Sequence, residues 1–430
     1  MTDSDAQPST LPQRERSYRR NFGFFLADNI LFNVAAGVIS AATVIPDFVR
    51  RLTDSEILIG LSGSLAIVGN TLPQLLIARY IVGAARKQWW FVGPNIPARL
   101  MILIFAVITV LIGGGRPELL LFAFFICYGV AMFGDGLVGV PWAELAGNSL
   151  DNRWRARMLG LTTAVSGVIL LLIAPLIGGV LGEAGPAFPL NYAILFGAAG
   201  LLFALSILPG IFIHELPGGQ PVERLPPLRD YLPSLGRALR ADGPFRAFIG
   251  VRIFMSLFLM ANPFYIGYAT VELGVSNAVA VPILLAMQTV GTVAGALAYT
   301  WLGVRSNLLV MRLALAGWAL VPSSALLAGV VGPVPLYVGF LVSGMATSAL
   351  FSGYLNWIVG YATPDQRPLY VGLSNTVAGV TALITPFIGG VIAQRLGYRP
   401  LFVVALIMAL GGLFVTLRYI SAAHDSREPG

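Results

Sequence analysis

The chain has 430 residues, of which 57% are hydrophobic and only 11% charged, and its formal net charge is +7. A soluble domain carries about 25% charged residues, so this composition excludes an ordinary aqueous globular protein and predicts a polytopic membrane protein. A single cysteine, Cys127, and two histidines, His214 and His424, exclude a disulfide framework, a cysteine-based metal site and a histidine relay deep in the membrane. No metal and no cofactor is expected.

Residues 1–21 form a polar tail with Arg14, Arg16, Arg19 and Arg20. No short apolar region with a cleavage site follows, so the first apolar stretch is read as a retained helix rather than a signal peptide. A transmembrane helix needs about 20 mostly apolar residues. Spans are therefore predicted at 22–46, 56–80, 90–113, 117–143, 157–182 and 189–213, and these make a first bundle over residues 22–214. The second, fourth and tenth of the twelve spans carry polar interruptions that blur their ends.

Residues 215–244 are the one long hydrophilic connection. They begin rich in Pro and Gly, which break helices. Leu228, Leu232, Leu235 and Leu239 then recur at helical spacing among arginines. This segment reads as a linker with either an interfacial helix on an anionic leaflet or a helix packed on the bundle's own loops. A second bundle over 245–420 holds spans 245–270, 277–301, 307–330, 334–360, 369–393 and 399–419, and residues 421–430 are a tail. Twelve spans put both termini on one side. With that side cytoplasmic, eighteen basic residues fall inside and five outside, as the positive-inside rule requires. The expected setting is the cell's inner (plasma) membrane.

The two bundles repeat one another. PLIGGV at 175–180 returns as PFIGGV at 386–391, and Asp-Asn-Arg at 151–153 before GLTTAVSG at 160–167 returns as Asp-Gln-Arg at 365–367 before GLSNTVAG at 372–379. Internal repeats of half the chain are a mark of transporter folds, in which one half rocks against the other around a central site.

With six spans plus six, a central loop and paired D-[NQ]-R elements, nearly the whole chain resembles the major facilitator superfamily. The resemblance implies an all-α membrane protein of two pseudo-symmetric six-helix bundles, with a gating motif in the loops on the cytoplasmic side. Arg86, Lys87 and Arg305 stand at the basic end of that motif, and Arg79 and Tyr299 stand where its acid is expected. Asp151, Arg153, Arg157, Asp365 and Arg367 of the other loops are alternative gating residues. Pro175, Gly178 and Gly179 fit part of the family's antiporter motif, which implies export. Their near-copies Pro386, Gly389 and Gly390 fit close helix packing equally well.

A charge at a helix centre costs about 2.5–3.5 kcal/mol on the insertion scale, so each one needs a partner, water or a function. Asp28, Arg99, Asp135 and Arg252 lie within spans. Asp28 and then Asp135 are the candidates for proton coupling, with Arg99 as their neutralising partner. Arg252 pairs with a first-half acid, snorkels to the surface, or receives an anion. Further candidates for substrate contact are Asn29, Asn33, Asn262, Tyr265, Gln288, Tyr354, Asn356 and Asn375. No nucleotide-binding loop and no hydrolytic metal motif is present, which argues against an enzyme. The expected function is proton-coupled secondary transport of a small molecule by a monomer in the lipid bilayer, without nucleic acid. Export of an amphipathic or drug-like compound leads, ahead of organic-anion import and of a non-transporting scaffold.

Overall fold

The computed structural model describes residues 11–81, 87–215, 236, 239–303, 305–349, 353–354, 356–362 and 367–420. Every regular element among them is helical. The first half consists of α1 (Leu11–Val38), α2 (Val44–Arg50), α3 (Glu56–Ile81), α4 (Gln88–Ile112), α5 (Pro117–Ser149), α6 (Asn152–Leu181) and α7 (Leu190–Phe212). The second half consists of α8 (Gly243–Phe258), α9 (Phe264–Gly267), α10 (Asn277–Gly303), α11 (Asn307–Val331), α12 (Val334–Ala349), α13 (Asn356–Tyr361), α14 (Arg367–Leu396) and α15 (Tyr398–Tyr419).

Among the described residues ten helical stretches are long and apolar enough to cross a membrane, and the described apolar parts of α3 (Glu56–Asn70) and α12 (Val334–Ala349) stand in the places of the second and tenth expected spans. Two boundaries differ from those read in the sequence. The first helix begins at Leu11, inside the expected polar tail, and stops at Val38. A turn at Ser40–Thr43 follows, where the Ser40 hydroxyl accepts from the Ala42 N–H, before α2 resumes at Val44. A hydroxyl that competes for backbone groups interrupts a helix in this way. The seventh span is broken by a single 3-10 turn at Leu259–Ala261 before Pro263, which has no N–H to continue the ladder. The tenth is described as helix over Val334–Ala349, and helical turns at 353–354 and Asn356–Tyr361 follow among the described residues. The expected linker helix lies outside the described residues, apart from its last turn.

The bundle is apolar on its outer faces: Leu111 is 79% and Val330 81% exposed, as lipid-facing side chains are. Prolines stand inside most of the helices, among them Pro94, Pro141, Pro175, Pro282 and Pro322, which membrane helices tolerate when neighbours satisfy the freed carbonyls. Within the first half α4 packs on α5 and α7, α3 on α5, and α1 on α6 and α7; within the second, α10 packs on α12, α11 on α12 and α15, and α8 on α14 and α15. The halves meet reciprocally, α6 against α10 and α14 against α3.

Close crossings rest on glycine. A Cβ on Gly344 would meet the Gln288 carbonyl, and one on Gly291 would meet the Leu341 carbonyl, so α10 and α12 touch backbone to backbone. Gly344→Val is expected to cost about 3 kcal/mol by overpacking. It should convert a monodisperse peak in size-exclusion chromatography into aggregate, while Gly93→Ala, with nothing near its Cβ, leaves the peak unchanged.

Candidate functional site

Asn21, three turns into α1, bonds both backbone groups of His214 after α7 and the Ser149 carbonyl at the end of α5. These residues mark what we term the near end of the bundle, and α2 marks the far end. Asp28 sits two turns into α1 from Asn21, and α4 and α7 bring Arg99 and Ser206 against it. Arg99 Nη1 donates to Asp28 Oδ1 at 2.7 Å and to Ser206 Oγ at 2.5 Å. The guanidinium carbon lies 5.2 Å from the Phe32 ring centroid. Asp28 and Arg99 are 2% and 6% exposed, so this is a buried ion pair within the first half.

Asp135 on α5 accepts from Asn70 Nδ2 of α3 at 3.1 Å, and Arg99 and Asp28 are the charges that act on it. Gly136 beside it lets α5 lie against the Gly69 carbonyl of α3, and Gly134 lies against Ala98 of α4. Asp28, Arg99 and Asp135 therefore form one group of two acids and one base. Asn95, one turn before Arg99, is 1% exposed, and both its side-chain atoms are buried without a partner.

In the second half Arg252 has no carboxylate partner among the described residues. Its Nε, the Tyr354 hydroxyl and the Trp357 Nε1 are all buried without a hydrogen bond. Tyr354 is the group that acts on Arg252 electrostatically. Trp357 is stacked on Phe248, at 4.7 Å between centroids, and Phe248 lies one turn before Arg252 on α8.

The remaining candidates are dispersed. Asn29 and Asn33 donate to the carbonyls of Phe25 and Asn29 on their own helix. Tyr265 is buried and stacked on Phe402 at 4.8 Å, Asn262 and Gln288 are half-buried, and Asn375 is exposed. The side chains of Asn356, Arg367 and Pro386, and the whole of Arg86 and Asp365, lie outside the described residues.

Lys87 pairs with Glu144 of α5, and its backbone N–H donates to Glu215 at 2.8 Å. Asp151, one of the expected gating acids, caps α6 by accepting from the Trp154 N–H at 2.8 Å. Arg157 lies over Trp154 and Arg305 over Trp301, and Arg153 is exposed. A Cβ on Gly178 would meet the Ala278 carbonyl and Pro282, and one on Gly390 would meet Glu56 and Ile57, so both glycines sit where the halves touch. Gly389 lies against Met260, while Gly179 approaches nothing and Pro175 is exposed.

The far end holds a network the sequence did not reveal. Asp47 of α2 is 2% exposed. It accepts from the Tyr192 hydroxyl of its own half and, with both oxygens, from Asn277 Nδ2 of the other half. Beside it Arg50 forms a two-pronged pair with Glu56 at 2.7 and 2.9 Å, and the Tyr398 hydroxyl donates to Glu56 Oε1 at 2.7 Å. Between described residues, every hydrogen bond that joins the two halves lies at this end. The far end is closed.

Comparison with known proteins follows this geometry. Residues 247–430 match the family model of the Major Facilitator Superfamily. The MFS-type transporter astH of Aspergillus oryzae is 30% identical over 94 residues, which are 22% of this chain and 17% of that protein. The MFS thioclapurine efflux transporter tcpA of Claviceps purpurea is 29% identical over 106 residues, 25% of this chain and 19% of that one. The chain thus spans under a fifth of the length of these curated relatives. A crystal structure of a point mutant of the nucleoside transporter NupG superposes with a TM-score of 0.71 at 14% identity, covering 94% of this chain and 100% of the other.

Proposed function

We propose that the chain, whose second half matches that superfamily and whose length shares the fold, is a major facilitator protein and a proton-coupled secondary transporter. It moves a small organic molecule between its two halves by alternating access, and it works as a monomer. In this reading the membrane is the cell's inner membrane, the termini are cytoplasmic and the far end faces outward. The direction proposed is export of an amphipathic compound, in keeping with the relative named as an efflux transporter.

The observation that carries proton coupling is the charge count of the first half. Asp28 is committed to Arg99, whereas Asp135 is held directly only by the neutral carboxamide of Asn70. Asp135 is therefore the carboxyl whose charge is left over, and a proton is the counter-ion that balances it. This reverses the order of the two acids suggested by the sequence. Binding and release of that proton would alter the electrostatic cost of each conformation, which is how an ion gradient biases a two-state equilibrium.

Asp135→Asn is the test. In everted vesicles with an imposed proton gradient, a compound accumulated by the wild type should fall at least tenfold in accumulation. Gradient-free exchange of the same compound should persist. Accumulation undiminished in Asp135→Asn would remove Asp135 from coupling. Absence of any accumulated or exchanged compound in the wild type would favour a scaffold.

A further inference from the structure

We propose that the second half carries a binding site for an organic monocarboxylate, built from Arg252, Tyr354 and Trp357. This names the substrate class of the transporter proposed above and rests on that reading.

Arg252 Nε, Tyr354 Oη and Trp357 Nε1 are each buried and each without a hydrogen-bond partner. The guanidinium and the indole N–H can only donate, and the phenol donates readily. What is missing at all three is therefore an acceptor. They share one neighbourhood: Phe248 and Arg252 are a turn apart on α8, the Phe248 ring lies on Trp357, Tyr354 is a turn before Trp357, and Tyr354 is near enough to act electrostatically on Arg252. Among the described residues no carboxylate of this half serves them. Asp242 is taken up by Tyr361 and Tyr370, and Glu272 lies by Arg399. The first-half acids are held by Arg99 and Asn70.

A buried charge without a counter-ion is costly, and the two unpaired donors beside it add to that cost. A carboxylate removes all of these at once. Its two oxygens match the fork of a guanidinium and retain lone pairs for the phenol and the indole. One guanidinium balances one negative charge, so a phosphate dianion would bring a second charge with nothing to balance it. The stacked rings of Phe248, Trp357 and Tyr361 make the surroundings apolar and aromatic, which favours an aryl or alkyl body on the acid.

The test uses the purified full-length protein and a graded set of probes, acetate, benzoate and 2-naphthoate, each beside its neutral amide. At least one carboxylate is expected to raise the thermal midpoint in a saturable way while its amide does not. Arg252→Gln is expected to raise the half-saturating concentration at least tenfold, and Tyr354→Phe and Trp357→Phe several-fold each. Because Arg252→Gln removes an unpaired charge, its ligand-free midpoint should equal or exceed that of the wild type. Arg252→Lys, which keeps the charge without the fork, should bind with intermediate strength.

No shift with any of the carboxylates, or equal binding by Arg252→Gln, overturns the site. A neutral or cationic compound carried by proteoliposomes while carboxylates fail to bind also overturns it, and leaves the transport reading intact. A carboxylate that binds through Arg252 but is neither accumulated nor exchanged supports the site and removes the transport reading.

Discussion

Arg99→Met is expected to be the most destabilising single substitution among the charged residues. It leaves Asp28 buried at 2% exposure with its guanidinium gone and Ser206 without that donor. Removing one partner of a buried ion pair costs about 3–5 kcal/mol, because the remaining charge has neither water nor counter-ion. The thermal midpoint in detergent should fall well below that of the wild type. Asp28→Asn combined with Arg99→Met removes both charges and should recover most of the loss, as buried pairs replaced together often do. If the double variant is no more stable than Arg99→Met alone, the pair is not what holds α1 to α4.

Asp47→Ala should have a comparably large effect, on conformation rather than on folding. It withdraws the acceptor shared by Tyr192 and Asn277, and hydrogen bonds to a charged group are worth about 1.5–3 kcal/mol each. Only the bond to Asn277 crosses between the halves, so the closed far end should lose at least about 1.4 kcal/mol, a tenfold change in population. Ala278→Cys provides the reporter, since Ala278 packs against Gly178 in the closed state; the native Cys127 is buried. Labelling of that cysteine by a membrane-impermeant maleimide should accelerate about tenfold in the Asp47→Ala background. An unchanged rate would mean that Arg50, Glu56 and Tyr398 hold the far end closed by themselves.

Hydropathy alone located the helices because a lipid-facing surface has to be apolar over a whole span, whatever the tertiary contacts. The partnership of Arg99 with Asp28 was also legible, since an intramembrane acid and base at similar depth lower each other's cost. Asp47 was not. The reading at 22–46 ran a single helix past the turn at Ser40–Thr43, which removed any reason to examine a residue just beyond its end. Its partner Asn277 is 230 residues away, and Tyr398 is 342 residues from Glu56. No local pattern reports such pairs. Asn70 and Asn95 escaped notice because a carboxamide in a span is usually a helix contact, and only the fold shows which lies beside an acid and which has no partner. Asp151 also has a local use: an Asp three residues before a free helical N–H caps that helix, a use the sequence offered and the resemblance obscured.

The reciprocal seats of Gly178 on α10 and Gly390 on α3 bear on the origin of the chain. Each half contributes one glycine and one helix start that receives the other's glycine. Two identical half-length polypeptides would make both contacts with no residue unique to either. The fused chain thus retains the interface of a symmetric dimer. The two halves differ within that symmetric frame: the acids Asp28 and Asp135 lie in one and the unpartnered Nε of Arg252 in the other.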